Sequence, residues 1–115
     1  MKPSKSFNEK CYSLLIKVPR GRVTTYKAIA RALKTKAYRA VGNAMNKNPY
    51  APKVPCHRVV YSDGKIGGFA YGVKKKIKML NKEGIKIRNN KILNFEKRIF
   101  NFKVWIPDIV LENLL

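Results

Sequence analysis

Three prolines, Pro49, Pro52 and Pro55, fall within seven residues of one another. Each fixes its own φ and removes a backbone N–H, so neither a helix nor a central strand runs through this stretch. The chain is therefore divided into a helical part before it and a part of short, turn-bounded segments after it. Upstream, Ser6 with Glu9 forms a capping-box pattern, and Phe7, Cys11, Leu14, Leu15 and Val18 recur at helical spacing until Pro19 and Gly21 stop the run. Cys11 falls on the apolar side and is expected to be a small buried hydrophobe. Thr24 or Thr25 caps a second helix over 26–33, with Ile29, Ala30 and Leu33 on one side. After a basic turn at 34–36, the residues Ala37, Ala40, Val41, Ala44 and Met45 mark a third helix over 37–46. Two short helices joined by a tight turn make a helix-turn-helix candidate, although small helical bundles contain such pairs too. Arg39 is then either one more solvated cation or a residue of a DNA-facing helix.

Beyond the divide, the stiff proline loop delivers Cys56. The segment Val54-Pro55-Cys56-His57-Arg58-Val59-Val60 sets one of two cysteines against the only histidine. A cysteine attacks as thiolate, and a neighbouring imidazole that takes the proton, directly or through one water, raises the thiolate fraction near neutral pH. Val59, Val60 and Tyr61, the turn Ser62-Asp63-Gly64, and Lys65, Ile66 and Gly67 predict a hairpin. Gly67, Gly68 and Gly72 bracket Phe69-Ala70-Tyr71, a loop that either wraps a planar ligand or packs its own aromatics. A fourth helix is predicted over 73–82, with Val73, Ile77 and Leu80 inward and Lys74, Lys75, Lys76 and Lys78 on the wet side. Glu83 follows at the unfavourable end of the helix dipole, just before the C′ glycine Gly84, so helix stability does not account for it; a lysine partner is the simplest alternative. Ile85, Lys86 and Ile87 with Ile92, Leu93, Asn94 and Phe95, around Asn89-Asn90, predict a second hairpin. The expected fold class is mainly α with short β-hairpins, a winged-helix-like helix-turn-helix domain.

Charge narrows the partner. Against 26 Lys and Arg stand 6 Asp and Glu, a formal net charge of +20 over 115 residues. Such a surplus repels itself in the compact state and is best matched by a polyanion, nucleic acid ahead of an anionic membrane surface. No apolar run reaches the ~18 residues that span a bilayer, and residues 1–8 lack a signal-peptide core. Two cysteines at unrelated positions form neither a disulfide framework nor a zinc-ligand set. A soluble, cytoplasmic protein of one domain in a reducing compartment is expected, with no metal and no cofactor.

The residues Phe7, Pro19, Gly21, Thr25-Tyr26, Arg39-Ala40-Val41-Gly42, Asn48-Pro49, Pro55-Cys56-His57-Arg58-Val59-Val60, Gly64, Gly67 and Lys82-Glu83-Gly84 resemble, in order and spacing, the C-terminal domain of the O6-alkylguanine-DNA alkyltransferases. The likeness runs from about residue 7 to residue 87. It implies a monomer that binds double-stranded DNA carrying O6-alkylguanine, chiefly O6-methylguanine, from the minor groove and flips the lesion out. The alkyl group then passes irreversibly to the protein's own cysteine in a single turnover. Cys56, His57 and Glu83 occupy the places of the family's relay: Glu83 orients His57, His57 deprotonates Cys56 through water, and the thiolate displaces the guanine oxygen. Asn48 matches an asparagine that holds the turn bearing the cysteine. Arg39 matches the arginine that fills the gap left by the flipped nucleotide, Tyr26 crowds its phosphate, Ala40 and Gly42 permit close approach, and Ser62 joins them in binding DNA. Tyr26, Met45, Cys56, Val59, Ala70 and Tyr71 are the implied substrate pocket. There Tyr26 and a backbone N–H near Ala70 donate to the leaving guanine, and carbonyls at Cys56 and Val59 read its exocyclic amine.

This chain departs from the family in three respects. The N-terminal domain usual in the family is absent on this reading, with any zinc site it carries; residues 1–95 form the C-terminal-type domain and 96–115 an extension of unassigned role. Ala70 stands where serine or another polar residue is common, and Tyr71 where relatives have glycine or a bulky aromatic. A bulky Tyr71 is expected to narrow the pocket toward small alkyl groups, so that benzylguanine inhibits poorly. Residues 104–115 are apolar apart from Asp108, Glu112 and Asn113, which fits a cover for exposed core or self-association. Two rival functions remain. Alkyltransferase-like proteins recognise alkylguanine without removing the group, but typically carry tryptophan or alanine in the place of Cys56. A helix-turn-helix regulator has no use for Cys56, His57 and Glu83 together.

Overall fold

The computed structural model describes residues 6–102. Helix α1 (Phe7–Leu15) starts where the Ser6 hydroxyl oxygen accepts the Glu9 amide at 3.2 Å. Helix α2 (Tyr26–Ala32) starts in the same way, with the Thr25 hydroxyl oxygen accepting the Ala28 amide at 2.9 Å. Helix α3 (Tyr38–Asn46) follows the short turn after α2, and α1, α2 and α3 pack on one another. Their shared core holds Cys11, Leu15, Val18, Ile29, Val41 and Ala44, and the buried Tyr12 hydroxyl donates to the Ala44 carbonyl at 2.8 Å. The predicted helices are all present, although Ala37, placed on the apolar face, lies exposed just ahead of α3.

Strand β1 (Thr24–Thr25) runs directly into α2 and pairs in parallel with β2 (Val59–Val60), Thr24 opposite Val59 and Thr25 opposite Val60. This corrects the predicted hairpin over residues 59–67. A local pattern marks a strand without naming its partner, and Val59 and Val60, both fully buried, fit a parallel pair covered on both faces. The turn itself is present: the Gly64 amide donates to the Tyr61 carbonyl at 2.9 Å and the Tyr61 amide to the Lys65 carbonyl at 2.8 Å. The limb after it joins a different partner, the hairpin of β3 (Ile87–Arg88) and β4 (Lys91–Ile92), through a Lys65 to Lys91 bridge and the Ile66 amide on the Asn90 carbonyl at 2.9 Å. That second hairpin matches expectation. Asn89 and Asn90 form its turn at φ 52° and 61°, left-handed values that asparagine tolerates better than other side chains do.

Helix α4 (Val73–Lys82) has the predicted bounds, and Ile77 and Leu80 face inward with Lys74, Lys75 and Lys78 exposed as predicted, but two positions are exchanged. Val73 is 41% exposed, whereas Lys76 is 0% exposed. Lys76 lies one turn before the buried Leu80, on the same face, and its stem is long enough to carry the ammonium to two backbone carbonyls: Val59 O in β2 at 2.7 Å and Gly68 O in the loop after it at 2.9 Å. A second core of Val23, Val60, Ile66, Leu80, Ile85 and Ile92 forms beneath α4 and the hairpin. The β1–β2 pair thus lies between two cores, Val59 in one and Val60 in the other. Helix α5 (Phe95–Arg98) was not anticipated. After it the chain lies alongside β1, with the Val23 amide on the Arg98 carbonyl at 2.9 Å and the Phe100 amide on the Val23 carbonyl at 2.7 Å. Phe100 and Phe102 pack on the helical core. The apolar tail 104–115 lies outside the described residues. No helix among those described is long and apolar enough to cross a membrane.

Candidate active site

The proline loop is cross-linked by Asn48, whose Nδ2 donates to the Val54 carbonyl at 2.7 Å while its Oδ1 accepts the Tyr50 amide at 2.9 Å. The expectation that Asn48 holds this turn has a direct geometric counterpart. Cys56 then opens a single 3-10 turn, Cys56–Arg58, against which α4 packs, and the turn leads straight into β2. The loop and strand pairing together leave Cys56 and His57 buried, at 5% and 3% exposure.

His57 Nε2 lies 2.7 Å from Glu83 Oε2. Arg58 grips the same carboxylate with both arms of its guanidinium, Nε on Oε1 and Nη2 on Oε2, each at 2.9 Å, and anchors Nη1 on the Val18 carbonyl at 2.8 Å. The Gly21 amide adds a longer contact to Oε1 at 3.4 Å. The partners of Glu83 are therefore His57 and Arg58, not a lysine. Burial pushes the Glu83 carboxyl up, but the hydrogen bonds from Arg58 and His57 outweigh it and hold the group below its ordinary value. Burial also lowers His57, more than the Glu83 hydrogen bond raises it, so the imidazole is neutral at neutral pH. An ionised carboxylate can only accept, so neutral His57 carries its proton on Nε2 and presents a bare Nδ1. Nδ1 is buried and has no hydrogen-bond partner among the described residues. The triad can therefore hold a base of fixed tautomer one residue from a thiol.

Lys76 is the unexpected member. Burial lowers its ammonium to about 8, and negative charge on Cys56 is the influence that opposes this. The ammonium is held on Val59 O and Gly68 O, beside the turn that carries Cys56. Cys11 differs: burial pushes its thiol up to about 11, in keeping with a core role. Among the described residues no group of three or more His, Cys, Asp or Glu side chains gathers as a metal site.

An open cleft of about 750 Å³ lies between α2, α3 and the turn after β2. It brings together Tyr26, Arg39, Gly42 and Ser62 from the expected DNA-binding set; Ala40 is half-buried beside them. Tyr26 packs on Tyr61 with ring centroids 5.5 Å apart, and burial pushes its hydroxyl up to about 12, so it is a proton donor at any ordinary pH. A Cβ added to Gly42 would meet nothing within 4 Å, so packing inside the protein does not require glycine there. Of the expected substrate-pocket residues, Tyr26 alone lines this cleft. Met45, Cys56 and Val59 are buried in the helical core behind it, and Ala70 and Tyr71 are exposed on their loop. There Tyr71 packs on Phe69 at 5.4 Å and carries Lys75 Nζ over its ring at 5.2 Å, so the loop packs its own aromatics. Sequence reading missed Lys27, Tyr38, Asn43 and Asn46 as cleft residues. The signal for the last two was present: 39, 42, 43 and 46 recur at the spacing of one helix face.

Residues 6–85 match the family model described as 6-O-methylguanine DNA methyltransferase, DNA binding domain. A methylated-DNA–protein-cysteine methyltransferase of Saccharolobus islandicus is 47% identical over 81 residues, covering 70% of this chain and 52% of that protein. A bifunctional methyltransferase/endonuclease of Picrophilus torridus is 42% identical over 97 residues, 84% of this chain and 33% of that protein. The chain therefore spans a third to about half the length of these curated relatives. Among solved structures, the O6-methylguanine-DNA methyltransferase of Pyrococcus kodakaraensis superimposes with a TM-score of 0.64 at 48% identity, over 70% of this chain and 47% of that one. S. pombe Atl1, in complex with damaged DNA containing O6-carboxymethylguanine, superimposes with a TM-score of 0.72 at 31% identity, over 84% of this chain and 95% of that one.

Proposed function

The chain belongs to the 6-O-methylguanine DNA methyltransferase family, by its DNA-binding domain, and from that premise we propose that it repairs alkylated guanine in duplex DNA by direct transfer to Cys56. The observation that carries this reading is the buried His57–Glu83 hydrogen bond of 2.7 Å immediately beside the one cysteine delivered by the proline loop. The thiol proton passes to His57 Nδ1, directly or through water, while Glu83 stabilises the imidazolium. The thiolate attacks the alkyl carbon, the S–C bond forms, the C–O bond breaks, and the electron pair leaves with guanine O6. The guanine anion takes up a proton at N1 from water, to which His57 returns the thiol proton, aided by hydrogen bonding from the Tyr26 hydroxyl and a backbone N–H near Ala70. The thioether has no return path, so each molecule acts once.

The cleft supports the DNA side of the proposal. The α3 face enters the minor groove, Arg39 occupies the place of the rotated nucleotide, Tyr26 crowds its phosphate, and Ser62 contacts the backbone. Ala40 and Gly42 keep the helix surface low; at Gly42 the open space beyond the Cα is what an approaching backbone requires. A second reading, lesion recognition without transfer, is favoured by the overlay on nearly all of S. pombe Atl1. Titration of the protein into duplex carrying one O6-methylguanine separates the two. Transfer restores guanine one for one with protein and then stops; recognition alone leaves the methyl on the DNA at every protein excess.

A further inference from the structure

The family match ends at residue 85, yet the site is tied to a residue beyond it. Arg98, at the end of α5, donates from Nη1 to the Gly21 carbonyl at 3.2 Å and from Nη2 to the Gly84 carbonyl at 3.0 Å. These two backbones flank Glu83: Gly84 follows it in the chain, and the Gly21 amide contacts its Oε1. Both glycines are left-handed, at φ +86°, and a Cβ on Gly21 would sit 3.5 Å from the Glu83 carbonyl oxygen. Arg20 adds a third tie, Nη2 on the Lys82 carbonyl at 2.8 Å. A helix C-terminus carries partial negative charge, so a carboxylate placed just past it gains from cations nearby: Arg20 on the last helical carbonyl, Lys82 O, and Arg98 on the Gly84 carbonyl that follows Glu83. Arg98 is itself located by the chain pairing beside β1, through its carbonyl on the Val23 amide.

We propose that Arg98 is a positioning residue for Glu83, α5 serving as a brace that sets the Gly21 and Gly84 backbones so that the carboxylate reaches His57. The inference rests on the relay read at this site. A base is effective only when held within about 0.5 Å of its productive place by contacts that support it. The charged and titratable groups facing the pair are Arg58 and Lys76, with Cys56 on the thiol side, and all three are retained in the Arg98 variants.

The test compares the whole chain with Arg98→Ala, Arg98→Lys and Arg98→Gln, well below the melting temperature of each. Cys56 reactivity toward iodoacetamide is followed across pH by peptide mass, with buried Cys11 as internal control. This readout needs no DNA, so it tests the brace even if methyl transfer from O6-methylguanine fails and the repair reading falls. The expected result is a higher pH midpoint for Cys56 in Arg98→Ala, a smaller shift in Arg98→Lys, and transfer at saturating duplex slowed about tenfold with duplex affinity within about twofold. Should Arg98→Ala not fold, Arg98→Gln carries the same expectation. An unchanged midpoint in a folded variant overturns the proposal, as does a shift that lysine does not reduce, which would mark lost bulk rather than lost hydrogen bonds.

Discussion

At the scale of single residues, the proposed relay requires His57 to remain neutral and Glu83 to remain charged. Burial lowers His57, so the transfer rate should hold through neutral pH and fall only in acid, with a midpoint below the ordinary histidine value of 6.5. A midpoint above 6.5 in single-turnover rates would contradict this account of the base. His57→Gln should slow transfer by ~10²- to 10⁴-fold, the usual share of a general base, while leaving lesion binding intact. Lys76 provides a stability test. Its folded value is about 8 against an ordinary 10.5, so the folded state releases this proton before the unfolded state does as pH rises. Stability of the natural protein relative to Lys76→Met should therefore increase between about pH 8 and 10.5, as read by denaturant unfolding, and be flat below that window. Cys56 and His57 were legible because a lone histidine beside a cysteine after a proline has few other uses. Helix electrostatics marked Glu83 as unusual but suggested a lysine partner; only the family resemblance pointed to His57. Lys76 was not: residue type sends a lysine to water, and only the packed helix shows its stem lying along the core.

At the scale of elements, α2 and α3 carry the cleft, and the β3–β4 hairpin supports the turn after β2 that closes it. Thr25→Ala removes the cap that starts α2 at Tyr26 and should cost ~1 kcal/mol, with the loss also visible as weaker duplex binding. Helices α1 to α4 were readable because their apolar residues repeat at 3.6, and α1, α2 and α4 also have a capping hydroxyl or a glycine at an end, which α3 lacks. The Asn89-Asn90 hairpin was readable because its turn selects residues that accept positive φ. What failed was partner choice. Val59 and Val60 pair with Thr24 and Thr25, some 35 positions away, and nothing local in either segment encodes that parallel contact. Helix α5 failed for another reason: it is only four residues long, and it starts from the left-handed Asn94 at φ 55° with no side-chain cap hydrogen bond.

At the scale of the whole molecule, the +20 charge is spread far beyond the cleft, and its consequence is electrostatic. Binding to undamaged duplex should be weak, indifferent to sequence and steeply salt-dependent, with the logarithmic slope giving roughly 0.9 per phosphate neutralised. Arg39→Ala should reduce lesion binding more than it reduces that background if, as proposed, Arg39 acts where a nucleotide has left the stack; competition between damaged and undamaged duplexes reads the difference. A sequence-specific footprint on undamaged DNA would instead place the molecule among regulators. The central claim remains chemical, that Cys56 receives the alkyl group. Peptide mass spectrometry after mixing equimolar protein with duplex carrying one O6-methylguanine tests it most directly, with Cys56→Ala alongside. The account predicts one added methyl on the Cys56 peptide and none in the variant. Tight, lesion-specific binding with Cys56 unmodified would contradict it.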